Sequence, residues 1–154
     1  MTENSASPDA SRGGTGIFAR WRSWSPQFRG LLRIVAALMF MSAGTMKLFG
    51  VPALPSHMSF PLVSELGLAG TLEVFGGAFI LLGLFTRPVA FILSGEMAVA
   101  YFQAHFPQGV WPTMNGGQPA VLYCFLWLYF SAAGAGGLSI DFLLQSRKRA
   151  SARP

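Results

Sequence analysis

The chain has 154 residues, of which 52% are hydrophobic and only 11% charged, with a formal net charge of +5 at pH 7. A soluble domain averages about 25% charged residues, so this composition excludes an ordinary water-soluble fold and points to an integral membrane protein. The basic residues flank apolar stretches instead of forming one basic face, which argues against nucleic acid as a partner.

Residues 1–28 read as a disordered, then interfacial tail. The polar start, Met1 to Pro8, lacks the basic segment followed at once by an apolar core that a signal peptide needs. Ile17 to Phe28 mixes Arg20 and Arg22 with Phe18, Trp21, Trp24 and Phe28, a set suited to the lipid headgroup layer. Ser25-Pro26 predicts a helix start, with a hydroxyl cap followed by a proline in the first turn. Apolar stretches then fall at 31–49, 66–85, 88–106 and 119–138. Each is about long enough to cross ~30 Å of hydrocarbon.

Between the stretches lie punctuated loops. The segment from Gly50 through His57 to Pro61 is rich in proline, Thr86-Arg87-Pro88 forms a tight turn, and Gln108 to Gln118 is rich in Gly, Pro and Asn. Gly134 to Gly137 ends the last span, and Ser139-Ile140-Asp141 caps a short surface helix leading into a basic tail at 146–154. The expected fold is all-α: a membrane four-helix bundle occupying 29–145. Arg20, Arg22, Arg29 and Arg33, then Arg87, then Arg147, Lys148, Arg149 and Arg153 fall on one side of four spans, and the other two loops contain no Lys or Arg. The positive-inside rule then places both termini in the cytoplasm.

Lys47, Glu73 and Glu96 lie inside these stretches, where a charge costs roughly 2.5–3.5 kcal/mol on insertion scales. Counting ~1.5 Å per residue places Lys47 near the outer boundary, Glu73 in the outer half of its helix and Glu96 near the midplane. Lys47 shares a helical face with Phe40, Ala43 and Gly44, and Glu73 with Gly70, Gly76 and Gly77. Small residues let helices approach closely, so a Lys47–Glu73 ion pair is expected. Its role is either structural or electrostatic. Glu96 shares its face with Ala100 and Gln103 but not with His105. It is left without a cation, either as a helix–helix hydrogen-bonding group or as the carboxyl that handles a proton. Lys47, Glu73 and Glu96 are thus the candidate catalytic groups. Tyr101, Gln103, His105 and Tyr123 are candidates for lining a ligand pocket, such as one for a quinone ring. No metal site is expected. The single cysteine, Cys124, excludes stand-alone dithiol exchange. Arg87 and Asp141 are structural candidates, Asp141 being expected to bridge to Arg87 or Arg33 and pin the tail.

Ala43-Gly-Thr-Met-Lys-Leu-Phe-Gly50, Glu73 with Gly76-Gly77, Gly83-Leu-Phe-Thr-Arg-Pro88, Gly95-Glu-Met-Ala98 with Ala100-Tyr101, and Asn115-Gly-Gly117 with Leu122-Tyr123 together resemble the DoxX family. The closing Gly134 to Asp141 resembles its C-terminal motif, and the match covers about 29–145. The resemblance implies a four-helix protein of the bacterial inner membrane, related to a subunit of a thiosulfate:quinone oxidoreductase. It adds Asn115 to the ligand-binding candidates. Where the family often has Glu after Asn-Gly-Gly, this chain has Gln118.

Two functional readings stand. The first is a membrane subunit or accessory of a quinone- or thiol-linked redox system, taking its electron carrier from an oxidoreductase partner. The second is a non-enzymatic assembly or scaffold protein, homo-oligomeric, or a small transporter. The residues leave open whether the chain is catalytic by itself.

Overall fold

Backbone N–H and C=O groups find no partners in hydrocarbon, and helices satisfy them internally. The computed structural model describes residues 15–52 and 63–151, and every regular element among them is helical. In chain order these are α1 (Thr15–Phe49), α2 (Glu65–Leu82), α3 (Thr86–Ala100), α4 (Gln118–Ala133) and α5 (Ile140–Ser151). A π-helical turn, Tyr101–His105, and a 3-10 turn, Phe106–Gln108, prolong α3. Arg20–Phe49 and Glu65–Leu82 are long and apolar enough to cross a membrane. The segment around His57 and Pro61, and residues 1–14, lie outside the described residues.

α1 packs along α2 and α3 along α4, with a lighter seam between α2 and α3. The α1–α2 contact is close because its interface is glycine. A Cβ on Gly44 would meet Gly70 O and the Glu73 Cβ at 2.8 Å, and one on Gly70 would meet the Lys47 Cβ at 3.1 Å. Phe40 from α1 bridges to the second pair. It is fully buried and lies edge-on to Trp127 at 5.2 Å and beside Tyr123 at 5.1 Å. Ser94 Oγ donates to Cys124 O at 2.8 Å and ties α3 to α4.

Two expectations are corrected here, the helix bounds at Pro26 and after α4, and the partner of Asp141. Pro26 does not open α1 but lies inside it, because a proline removes one N–H without ending a helix whose neighbours supply the remaining bonds. Its carbonyl accepts from Gly137 N–H at 2.7 Å, which fastens the turn after α4 to α1. The helix expected over 119–138 stops at Ala133 and does not reach 138. Gly134 and Gly136, at φ 77° and 75°, turn the chain through left-handed backbone there.

The second correction concerns Asp141. It bridges to neither Arg87 nor Arg33. Its Oδ1 accepts from Phe85 N–H at 3.0 Å and its Oδ2 from Thr86 N–H at 2.9 Å. The first residues of α3 have no side-chain cap of their own, and unpaired N–H groups at the positive end of a helix attract a carboxylate strongly. Asp141 N–H donates in return to Gly83 O at 2.9 Å. The start of α5 is thereby locked to the α2–α3 turn.

Arg33 is wholly buried in the wall that α1 turns toward these segments. Its guanidinium donates to Ile80 O, to Leu81 O at 2.6 Å, to Ala135 O at 3.1 Å and to Leu138 O at 2.8 Å. Ile80 and Leu81 belong to the last turn of α2, at the negative end of the helix dipole, and Ile80 O also accepts from the capping Gly83 N–H at 2.9 Å. One side chain therefore joins α1, the end of α2 and the α4–α5 connection. Arg33→Met should lower unfolding stability in detergent by about 3–5 kcal/mol, and Arg33→Lys should recover little of it, because an ammonium cannot reproduce the planar fork. Chemical denaturation followed by circular dichroism measures both.

Candidate functional site

The glycine-lined contact of α1 and α2 delivers the expected ion pair. Lys47 Nζ lies 2.5 Å from Glu73 Oε1, with the lysine side chain 25% exposed and the glutamate 3%. Gly44 and Gly70 create the space, since the main chains come near enough for a lysine on one helix to reach a carboxylate on the other. Lys47 stands at the last turn of α1, where a cation suits the helix dipole. The second glutamate oxygen, Oε2, is buried without a partner among the described residues.

Beside this pair a groove of about 590 Å³ opens between α2 and α3. Lys47, Glu96 and Gln103 reach it, and its sides are mostly aliphatic, with Leu68, Leu72, Ile92 and Val99 prominent. Leu68 and Val99 are more than half exposed, so the groove opens sideways, where a bilayer would lie. Both carboxyl oxygens of Glu96 are buried and without a hydrogen-bond partner among the described residues. Satisfied polar groups are the rule in folded proteins, so a carboxyl with both oxygens unpartnered, in the wall of an open groove, stands ready for a ligand or a proton.

The structure brings Lys47, Glu73, Glu96 and Gln103 together but gives the other candidates different surroundings. Tyr101 and His105 stack at 6.5 Å in the π turn. Tyr101 Oη donates to Val110 O at 2.8 Å, and His105 Nδ1 lies 3.1 Å from Asn115 O. Asn115 is buried, donating from Nδ2 to Gly109 O at 2.6 Å and accepting at Oδ1 from Gly117 N–H at 2.8 Å. These three residues brace the 109–117 loop over the end of α3. Tyr123 packs in the core against Phe40 and Trp127. Arg87 is exposed at the start of α3, and Gln118 is exposed at the start of α4. No cluster of three or more His, Cys, Asp or Glu that could hold a metal occurs among the described residues.

Two roles escaped the sequence reading, Glu65 on the groove and Arg33 as a buried cation held by carbonyl oxygens. Glu65, the first residue of α2, lines the groove near Lys47; the Ser64-Glu65 pair marks a helix start, and nothing more in the pattern singles it out. Arg33 was grouped with the flanking basic residues. Its position between Leu31-Leu32 and Ile34-Val35, inside an apolar run, was the available signal.

A family model described as DoxX matches residues 29–106, from the middle of α1 to the 3-10 turn after α3. A Haemophilus influenzae protein described as uncharacterized is 43% identical over 122 residues, covering 77% of this chain and 91% of that one. No solved structure matches the chain.

The ion pair should respond asymmetrically to truncation. Lys47→Met strands a nearly wholly buried carboxylate and should cost about 3–5 kcal/mol. Glu73→Gln leaves a lysine that can extend toward the open groove, and should cost about 1–2 kcal/mol. The double variant should be more stable than Lys47→Met alone, measured by a double-mutant cycle in detergent.

Proposed function

Because the chain belongs to the DoxX family, we propose that it is a multi-pass protein of the bacterial inner membrane that binds a lipid-soluble quinone in the α2–α3 groove, as the membrane subunit of a redox system. In this reading α1 to α4 form a four-helix bundle across the bilayer, and both termini are cytoplasmic. The distribution of charge supports that orientation. Arg33, Arg87 and the start of α5 meet at one end through the Arg33 and Asp141 contacts, and Lys47 stands at the other.

The observation that carries the proposal is the pair of buried, unpartnered oxygens of Glu96 in an aliphatic groove that opens sideways. A ligand reaching it from the bilayer must be apolar in its body and polar at its head. A carboxyl donates to a carbonyl when protonated and accepts from a hydroxyl when ionised, so one side chain suits both the oxidised and the reduced head of a quinone. Gln103 supplies an amide at the same wall, and Lys47, held by Glu73, sets the local field. Bound quinone would supply two-electron, two-proton carbonyl chemistry, with electrons coming from a partner oxidoreductase. Glu96 holds or passes a proton at its carboxyl oxygens, and the aliphatic sides keep water out.

Protein extracted in mild detergent should carry quinone, detected by organic extraction and chromatography. Glu96→Gln should keep its helical content and lose about tenfold in bound quinone, the equivalent of one lost charged hydrogen bond. An empty homo-oligomer from the unmodified chain would instead favour an assembly or scaffold role. For orientation, a reporter fused after Arg149 should be active on the cytoplasmic side, and a cysteine replacing the exposed Trp111 should be labelled by an impermeant maleimide from outside.

A further inference from the structure

At the end of the molecule opposite the groove, a second cavity of about 440 Å³ opens between α1, the start of α3, the glycine turn after α4 and the start of α5. Its wall is cationic. Arg29 is partly buried; its Nη1 donates to Ala133 O at 2.6 Å, while its Nε is buried without a partner among the described residues. Arg87 enters from α3, its guanidinium against Gly134, where a Cβ would sit 3.4 Å from Nε. Thr86, in the same wall, is completely buried, and its Oγ1 has no partner among the described residues.

Asp141 is the carboxylate in this wall, and both of its oxygens are taken by the N–H groups of Phe85 and Thr86. The N-terminus of α3 is therefore occupied. What remains for a ligand is the guanidinium groups of Arg29 and Arg87. Guanidinium forks match phosphate oxygens and hold them in paired hydrogen bonds.

The rim says what kind of phosphate fits. Phe85 and Phe142 flank the mouth and are 62% and 55% exposed. On α1, Trp21, Trp24 and Phe28 are likewise exposed beside Arg20. A free phosphate ion would leave much of the cavity empty and would gain nothing from the aromatic rim. A zwitterionic headgroup would bring its own cation against Arg29 and Arg87. We propose that this cavity is a binding site for the phosphate of an anionic phospholipid, with Arg29 and Arg87 on the phosphate and the acyl chains leaving across Phe85 and Phe142. The site is independent of the quinone groove. Basic pockets between membrane helices are suited to such headgroups.

The test uses the full chain in a neutral detergent, with thermal unfolding followed against added dioleoyl phosphatidylglycerol, dioleoyl phosphatidylcholine or inorganic phosphate. Phosphatidylglycerol should protect at concentrations about tenfold lower than phosphatidylcholine, and inorganic phosphate should protect little, the margin corresponding to one charged hydrogen bond. Arg87→Gln should abolish that preference. Arg147→Gln removes the same charge from the exposed face of α5, outside the cavity, and should keep the preference. Protection by inorganic phosphate equal to that by phosphatidylglycerol would overturn the lipid assignment. An equal response to both lipids, an unchanged Arg87→Gln, or equal losses in Arg87→Gln and Arg147→Gln would overturn the site itself. Should Arg87→Gln fail to fold, Arg87→Lys keeps the charge without the fork and should still show a weakened preference; full retention there would also count against the site.

Discussion

The guanidinium of Arg33 is fully buried and is satisfied by carbonyl oxygens alone. Carbonyls carry only partial charge, so several must converge to replace the water such a cation gives up. That requirement fixes the neighbourhood. The last turn of α2 must end beside α1, and the chain after α4 must fold back against the same point. Asp141 then completes the closure by capping α3 from α5. The two contacts use the two ends of helices in opposite senses, a cation at the carbonyl end of α2 and an anion at the N–H end of α3.

The other end of the molecule is built differently. The Lys47–Glu73 pair joins α1 to α2, but among the described residues no ion pair spans the seam to α3, where both oxygens of Glu96 lack a partner. The closed end holds the hairpin pairs in register, and the open end leaves a groove between them. Polar groups left unsatisfied in a folded protein need a reason, and in DoxX-family membership with an aliphatic, laterally open groove the reason we propose is a ligand drawn from the bilayer.

Much of this was readable in the residues, for identifiable causes. The Lys47–Glu73 pair was legible because helical spacing places both beside glycines and depth places both at one level. The helical stretches were legible because each apolar run is bounded by glycine or proline. The partner of Asp141 was misread, since charge complementarity alone points to an arginine, whereas a pair of free N–H groups at a helix start competes for the same carboxylate and depends on three-dimensional proximity. Arg33 was hidden by the rule that counts basic residues at span ends as topological markers. Tyr101, His105 and Asn115 carry the chemistry of a ligand site, yet the structure uses their polar atoms to hold a loop, a distinction that spacing does not encode.

The π turn at Tyr101–His105 has an implication for how chains of this kind vary in length. A π turn closes its hydrogen bonds over one residue more than an α turn does. Removing a single residue between 101 and 105 would let the segment wind as ordinary α-helix. Because the π turn already holds one residue more than an α turn, the chain after 105 would leave α3 at nearly its present angle, whereas a deletion inside regular α-helix would shift it by about 100°. Tyr101 and His105 could no longer brace the 109–117 loop as they do here. The cost of single-codon deletion at this point therefore falls on the bracing of the 109–117 loop, and the helix phase is kept.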